Sequence, residues 1–262
     1  MSEDPIQIET TGEVAIVRLC LGVTNPLSAD LVARLADAIH TIGVDSTLRG
    51  LVLTSRNDRF FSIGFDLPHL IGLSQADFAT FFRAFNLMCL DLYTLPKPTA
   101  AAISGHATAG GCILALCCDY RLVVEGRKLI GLNEIKLGVP VPYAADRILR
   151  ETVGSRKARL VVESGDFYSP ELALELGLVD EVVPGQELVR RTTERVRALG
   201  TMPGGAFAEI KRSRTEVVER QIRSRLDETD KAFVECWYSQ PARERLTEAL
   251  GKFQHASRDK PS

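Results

Sequence analysis

Nowhere in the 262 residues does an apolar run approach the roughly 18–20 residues that a helix needs to cross a bilayer, which excludes helical membrane spans and a membrane partner. Positive charge is not in surplus either. The formal net charge is −2, whereas a nucleic-acid binder normally carries a basic surplus or patch. The basic cluster Lys211-Arg212-Ser213-Arg214 reads as a solvated helix end. The six cysteines, Cys20, Cys89, Cys112, Cys117, Cys118 and Cys236, fall mostly in apolar runs and include no Cys-x-x-Cys pairs with histidines nearby. That pattern predicts reduced thiols and no metal site. Met1-Ser2-Glu3-Asp4-Pro5 is acidic and has no signal-peptide or transit-peptide character, so the cytoplasm is the expected address. The residue pattern shows no internal repeat.

What is present describes a globular chain, with 45% hydrophobic and 25% charged residues. Ile6–Thr10 and Val14–Leu19 flank Thr11-Gly12-Glu13, a predicted β-hairpin. Thr24-Asn25-Pro26-Leu27-Ser28 reads as a turn. Ser28 caps a helix carrying Leu31, Leu35, Ala38, Ile39 and Ile42 at helical spacing. Gly50–Ser55 is a buried strand, and the β–α–β succession implies parallel pairing. Ser74 to Tyr93 is helical, with Phe78, Phe81, Phe82, Phe85, Leu87, Met88 and Leu92 on a broad apolar face. Leu95-Pro96-Lys97-Pro98 stops it before a strand at Thr99. Further helices are predicted from Tyr143, near 155–162 and 170–176, over 188–199, about 206–238 and 242–253. Met202-Pro203-Gly204-Gly205 reads as a hinge, dividing the chain into residues 1–200 and a helical region, 201–262.

The chain is organised around Gly105-His106-Ala107-Thr108-Ala109-Gly110-Gly111-Cys112, which follows the strand Thr99–Ile103 and opens a helix at about Gly110. Paired glycines there allow close backbone approach and leave the first helical N–H groups unpaired, a site for negative charge. Read alone, the pair is equally a tight turn with glycines for packing. Two other segments add to it. Phe60-Phe61-Ser62-Ile63-Gly64-Phe65-Asp66-Leu67 is a second glycine turn between strand and helix. Leu129-Ile130-Gly131-Leu132-Asn133-Glu134 sets one carboxylate in an apolar run.

In order and spacing, with Cys118-Asp119-Tyr120-Arg121 between them, these segments resemble the crotonase (enoyl-CoA hydratase/isomerase) superfamily from about Ile6 to Val183, and more weakly beyond. The resemblance implies an α/β fold, a crotonase-like ββα spiral core with a C-terminal helical trimerisation region. It implies an acyl-CoA thioester substrate, coenzyme A as part of that substrate with no separate cofactor, and a homotrimer or dimer of trimers. Phe233, Trp237, Leu246, Leu250 and Phe253 have a spacing compatible with subunit contact or with packing inside the chain.

Carried over residue by residue, the resemblance places an oxyanion hole at the backbone N–H groups of Phe65 and Gly110. A phenylalanine at 65 departs from the commoner alanine and narrows the pocket. Ile63, Gly64 and Asp66 border the pantetheine arm, and Gly111, Ile113 and Asn133 complete the substrate site. Arg18, Arg59, Lys97 and, from a neighbouring subunit, Lys252 are the candidate phosphate cations. Asp119 and Arg121 read as a structural ion pair or cap.

Family hydratases use two glutamates. Here the first position is Ile113, which cannot hold or deprotonate water, and the second is Glu134. Burial raises a carboxyl pKa towards neutrality, suiting a group that must act as both base and acid. Leu132-Asn133-Glu134 with Ile113 resembles the mitochondrial-type Δ3,Δ2-enoyl-CoA isomerases, which implies conversion of 3-enoyl-CoA to trans-2-enoyl-CoA by a single-glutamate 1,3-proton shuttle. Three alternatives stay open. Hydration or thioester hydrolysis would need a second polar group from His106, Thr108, Tyr143 or Asp146. Dienoyl-CoA isomerisation would need further acidic residues. A non-catalytic acyl-CoA binder would need neither.

Overall fold

The structure is a computed structural model that describes the backbone of residues 4–258 and the side chains up to residue 251. Lys252 and Phe253, named above, therefore have side chains outside the described residues. The chain opens with the predicted hairpin, β1 (Ile6–Thr11) and β2 (Val14–Leu19), paired antiparallel. A two-residue strand β3 (Pro26–Leu27) precedes α1 (Ala29–Val44), whose first turn is capped by Ser28 Oγ accepting from Leu31 N–H. Next come β4 (Gly50–Ser55), β5 (Phe60–Ser62), β6 (Gly64–Phe65), α2 (Leu67–Leu70) and α3 (Gln75–Thr94). Ser74 Oγ caps α3 by accepting from Asp77 N–H and donates in turn to the Asp77 carboxylate.

A second round follows: β7 (Thr99–Ile103), β8 (His106–Thr108) and α4 (Gly110–Leu116). A third has β9 (Tyr120–Val124), β10 (Ile130–Gly131) and a 3-10 turn, Glu134–Leu137. Each round sends one strand into a six-stranded sheet, whose first five strands lie in the order β1-β2-β4-β7-β9, and a short one into a smaller sheet, order β10-β8-β5, before the chain turns helical. This is the expected ββα spiral. Helices α5 (Tyr143–Val153), α6 (Ser155–Ser164) and α7 (Pro170–Leu176) lead to β11 (Glu181–Val183), which closes the large sheet beside β9. Helices α8 (Leu188–Gly200), α9 (Gly204–Trp237) and α10 (Gln240–Arg258) complete the described chain. Among the described residues no helix is long and apolar enough to cross a membrane.

Strand alternation sorts the core into two parts. Ala15, Val17, Leu51, Leu53, Ala101 and Ile103 face the main core under α1, α3 and α4. The intervening Val14, Ile16, Val52, Ala100 and Ala102 pack on the other face with Leu188 and Val196 of α8. Because both faces are covered, β7 is buried throughout as Thr-Ala-Ala-Ala-Ile, as parallel strands between helical layers require. Its small side chains hold the sheet close to its neighbours and deliver the Gly105–Gly110 turn to one edge of the core.

One sequence reading is refined and one corrected here. Asp119 and Arg121 are structural, but in separate ion pairs: the Arg121 guanidinium donates to the Asp119 backbone carbonyl at 3.3 Å and not to its carboxylate. Asp119 Oδ2 lies 2.8 Å from Lys211 Nζ, with Arg214 on its other oxygen, because both cations sit one turn apart on α9. Arg121 instead reaches Asp180, 2.9 Å away, across the β9–β11 edge. Lys211 is accordingly no solvated helix end: its side chain is 2% exposed. The spacing of Phe233, Trp237 and Leu246 resolves as packing inside the chain, where all three are buried.

Candidate active site

The two glycine turns meet at one point. In β6, Gly64 has φ +95, a left-handed conformation that side chains rarely adopt, and a Cβ there would stand 2.8 Å from Gly110 N. The absence of a side chain thus lets β6 and the first turn of α4 touch backbone to backbone. Gly110 and Gly111 begin α4, and both are buried; Gly111 lies against the backbone of Ser62 in β5. Ala109, just before them, has φ 49, a positive value uncommon for a residue with a Cβ. Its N–H donates to Gly131 O (2.9 Å) and its carbonyl accepts from Ile113 N–H (3.0 Å), so both ends of the strained unit are fixed.

Strand β6 is held from the opposite side by β3. Leu27 pairs with Phe65, and Asp66 N–H donates to Leu27 O at 3.3 Å. Since successive strand amides point to opposite sides, the Phe65 N–H faces away from β3. Among the described residues neither Phe65 N–H nor Gly110 N–H donates to a turn, loop or side-chain acceptor. The β3 turn itself is sewn down by Asn25, buried with φ 45, whose Nδ2 donates to Ser55 Oγ (2.8 Å) and Phe61 O (3.0 Å). Ser62 Oγ donates back to Asn25 O at 2.8 Å. These supports were missed in the sequence, where Asn25 read only as a turn; an asparagine's tolerance of positive φ was the available signal.

Glu134 arrives from a third direction. Gly131 pairs with Thr108, the residue before Ala109, so β10 runs beside the strand that leads into α4. Asn133 precedes the 3-10 turn and its carbonyl accepts from Lys136 N–H. Glu134 begins that turn with 6% of its surface exposed, and its Oε2 has no hydrogen-bond partner. Burial pushes its carboxyl up from 4.5 to about 7. Cys112, on the first turn of α4, feels the Glu134 charge, which adds to the effect of its own burial in raising the thiol. Ile113, next along, is buried and apolar.

Other polar residues nearby are already engaged. His106 Nδ1 accepts from Leu129 N–H at 3.0 Å, its ring lies against Phe60, and burial lowers its pKa. Thr108 Oγ1 donates to Ile63 O at 3.1 Å, which ties β8 to the β6 turn. Asp146 pairs with Arg150 at 2.7 Å, and Tyr143 lies under the Arg225 guanidinium. Asp66 occupies the N-cap position of α2 without a side-chain cap bond.

The Phe65 side chain does not reach into open space. Its ring stands edge-on to Phe81 (5.1 Å between centroids), Phe85 (4.9 Å) and Trp237 (6.3 Å). Such pairs contribute roughly 0.5–1.5 kcal/mol each beyond burial, so β6 is clamped to α3 and α9. Of the candidate phosphate cations, Arg18 is paired with Glu9 at 2.6 Å. Lys97 Nζ is 2.6 Å from both Ile42 O and Asp45 O. Those two side chains are committed to structural partners, whereas Arg59 lies over the Phe60 ring.

The fold and the sequence have counterparts among known proteins. The enoyl-CoA hydratase/isomerase family model matches residues 9–256. Mouse mitochondrial enoyl-CoA delta isomerase 1 is 36% identical over 186 residues, covering 70% of this chain and 64% of that protein. The chain thus matches a little under two thirds of that relative's length. A crotonyl-CoA hydratase of Syntrophomonas wolfei is 27% identical, with 87% of each chain covered. The crystal structure of human mitochondrial Δ3-Δ2-enoyl-CoA isomerase superposes with a TM-score of 0.93 at 28% identity, over 96% of this chain and 99% of that one. With the spiral of ββα units, the meeting of the two glycine turns and a family match that spans nearly the whole sequence, the chain belongs to the enoyl-CoA hydratase/isomerase family.

Proposed function

We propose that this protein is an isomerase that converts 3-enoyl-CoA to trans-2-enoyl-CoA with Glu134 as its single acid–base group. The observation that carries this reading is a buried carboxyl near neutrality, pushed to about 7 and felt by Cys112 on α4, where the next residue is the buried, apolar Ile113. Ionised Glu134 takes a proton from C2 of the 3-enoyl thioester. The electron pair moves into a dienolate whose oxygen lies between the N–H groups of Phe65 and Gly110. The same carboxyl then returns the proton to C4 on that face, leaving the double bond between C2 and C3. Atoms and charge balance with no water consumed and no cofactor beyond the coenzyme A of the substrate. Backbone donors aimed at developing charge cost no reorganisation when the proton moves. An apolar wall at Ile113 keeps water from the dienolate.

Ile63, Gly64, Asp66, Gly111 and Asn133 border the thioester and pantetheine arm in this reading, and the chain acts as a homotrimer or dimer of trimers. The similarity to mitochondrial isomerases supports the reaction; the similarity to a crotonyl-CoA hydratase keeps hydration as the second reading. Purified protein assayed with trans-3-hexenoyl-CoA and with crotonyl-CoA separates the two. Isomerisation that disappears in Glu134→Gln, with little hydration, is the expected result. Hydration of crotonyl-CoA at a comparable rate would overturn the one-base mechanism.

A further inference from the structure

We infer that the hydroxyls of Ser62 and Thr108 are positioning groups for the oxyanion hole: together they clamp the Ile63–Gly64 peptide, and through it they aim the Phe65 N–H. This rests on the proposed use of the Phe65 amide as a donor to a thioester oxygen, and it adds two side chains to a hole so far built from backbone. Thr108 Oγ1 donates to Ile63 O at 3.1 Å, and Gly64 N–H donates to Ser62 Oγ at 3.1 Å. The carbonyl and the N–H of one peptide unit are thus each held by a hydroxyl. Ser62 Oγ also donates to Asn25 O at 2.8 Å, so its one proton is committed and it is left an acceptor toward Gly64. Both side chains are buried, Ser62 completely.

Gly64 is where such a clamp has an effect. Its φ of +95 brings β6 against Gly110, but a glycine backbone has more freedom to rotate than any other. The Phe65 N–H belongs to the next peptide along, so its direction follows from the Ile63–Gly64 plane and the rotation at Gly64. The flanking amides are held as well. Ile63 N–H donates to Thr24 O at 3.0 Å, and Asp66 N–H to Leu27 O at 3.3 Å. Between these fixed points the Phe65 amide faces away from β3, held in place before charge develops on a substrate. The two hydroxyls also join the two glycine turns. Ser62 packs its backbone on Gly111, where an added Cβ would stand 2.2 Å from Ser62 O, and Thr108 leads directly into Ala109 and Gly110. The clamp therefore sets where one donor lies relative to the other.

The test uses Thr108→Val, which keeps the branched shape and removes the hydroxyl, Thr108→Ser, which does the reverse, and Ser62→Ala. Each is assayed with trans-3-hexenoyl-CoA beside the natural protein. Each is also bound to hexanoyl-CoA, which cannot isomerise, labelled isotopically at the thioester carbonyl, and the carbonyl stretch is read by infrared difference spectroscopy. Donors aimed at the oxygen weaken the C=O bond, so the natural protein should lower that frequency relative to the free thioester. Losing a donor outright costs about 10²–10³ in rate, and misplacing a group by about 1 Å can cost about 10². Thr108→Val and Ser62→Ala should accordingly lower kcat about 10–10²-fold with KM little changed, and shrink the frequency shift. Thr108→Ser should keep the shift. The two hydroxyls hold one peptide from opposite ends, so either variant that folds is decisive.

An unchanged kcat and carbonyl shift in Thr108→Val and Ser62→Ala would overturn the inference while leaving isomerisation intact. So would a Thr108→Ser protein impaired as much as Thr108→Val, since the methyl and not the hydroxyl would then matter. A shift that the natural protein shows and the two variants lose, without isomerisation by any of them, would retain the clamp and reject the isomerase reading. Isomerisation without any carbonyl shift would reject the clamp alone, and the absence of both would reject both.

Discussion

Glu134 loses water on folding and gains no hydrogen-bond partner at Oε2, and its carboxyl titrates near 7 rather than 4.5. As a base it must be ionised in the free enzyme. The kcat/KM for isomerisation should therefore fall about tenfold per pH unit below roughly 7, with a plateau above. A profile flat down to pH 5 would show that another group takes the proton. Glu134→Gln should lower kcat about 10²–10⁴-fold, the usual range for a positioned acid–base group. The same shift has a stability consequence of definite sign. Between pH 4.5 and about 7 the native protein holds a proton at Glu134 that the unfolded chain has released. Stability contributed at this position is full below 4.5 and is lost as pH rises through 7. Chemical denaturation should accordingly find Glu134→Gln more stable than the natural protein at pH 8 by up to roughly 3 kcal/mol, with the difference closing by pH 4.5. At this scale the sequence was informative about a carboxylate in an apolar run. It was misleading about Lys211, which sits among other basic residues yet shares a helix face with Thr215, Val218 and Ile222, all buried.

At the scale of elements, the backbone contact between β6 and α4 carries the geometry of both proposed donors. Gly64→Ala would place a methyl 2.8 Å from Gly110 N at a φ of +95, so one strand or the other must move. Loss of a single oxyanion donor costs about 10²–10³ in rate. A fall of at least that size is expected for Gly64→Ala, with circular dichroism checking that the fold survives. The turn that carries Glu134 has a similar constraint. Gly138 ends it at φ +76, and a Cβ there would sit 3.1 Å from Ala242 Cα at the start of α10. The thiol of Cys236 meanwhile donates to Gly138 O at 3.3 Å. Residue 237, next in α9, backs the Phe65 ring, so the α9–α10 corner braces both the base and the donor strand. Helices such as α1 and α3 were legible from apolar spacing and serine caps. The short strand that delivers Glu134, β10, was legible from its apolar run, whereas the two-residue strands β3 and β6 were not, because alternation over so few residues has no period to detect and they pair with each other across a long stretch of sequence.

Over the whole molecule, α9 is the long strut, 34 residues from Gly204 to Trp237. Near one end it grips the sheet through Lys211; at the other it closes the aromatic cluster through Phe233 and Trp237. Asp119 accepts from Thr99 N–H at 2.9 Å as well as from Lys211, so the grip falls where β7 begins. Burial pulls the Lys211 pKa below its ordinary value despite Asp119. Burial would raise Asp119 too, but Lys211 and Arg214 outweigh it and hold that carboxyl below the usual range. The resulting asymmetry orders the costs of breaking the pair. Removing one member of a buried pair typically costs about 3–5 kcal/mol, mainly because the other charge is left uncompensated. After Lys211→Met, Asp119 still has Arg214. After Asp119→Asn, the buried Lys211 ammonium keeps a backbone carbonyl, Lys97 O at 3.2 Å, but no counter-charge. Urea unfolding should therefore find Asp119→Asn the more destabilising, near the upper end of that range, and Lys211→Met near or below its lower end. The reverse order would mean that packing of the lysine stem, rather than neutralisation of its charge, holds α9 to the sheet.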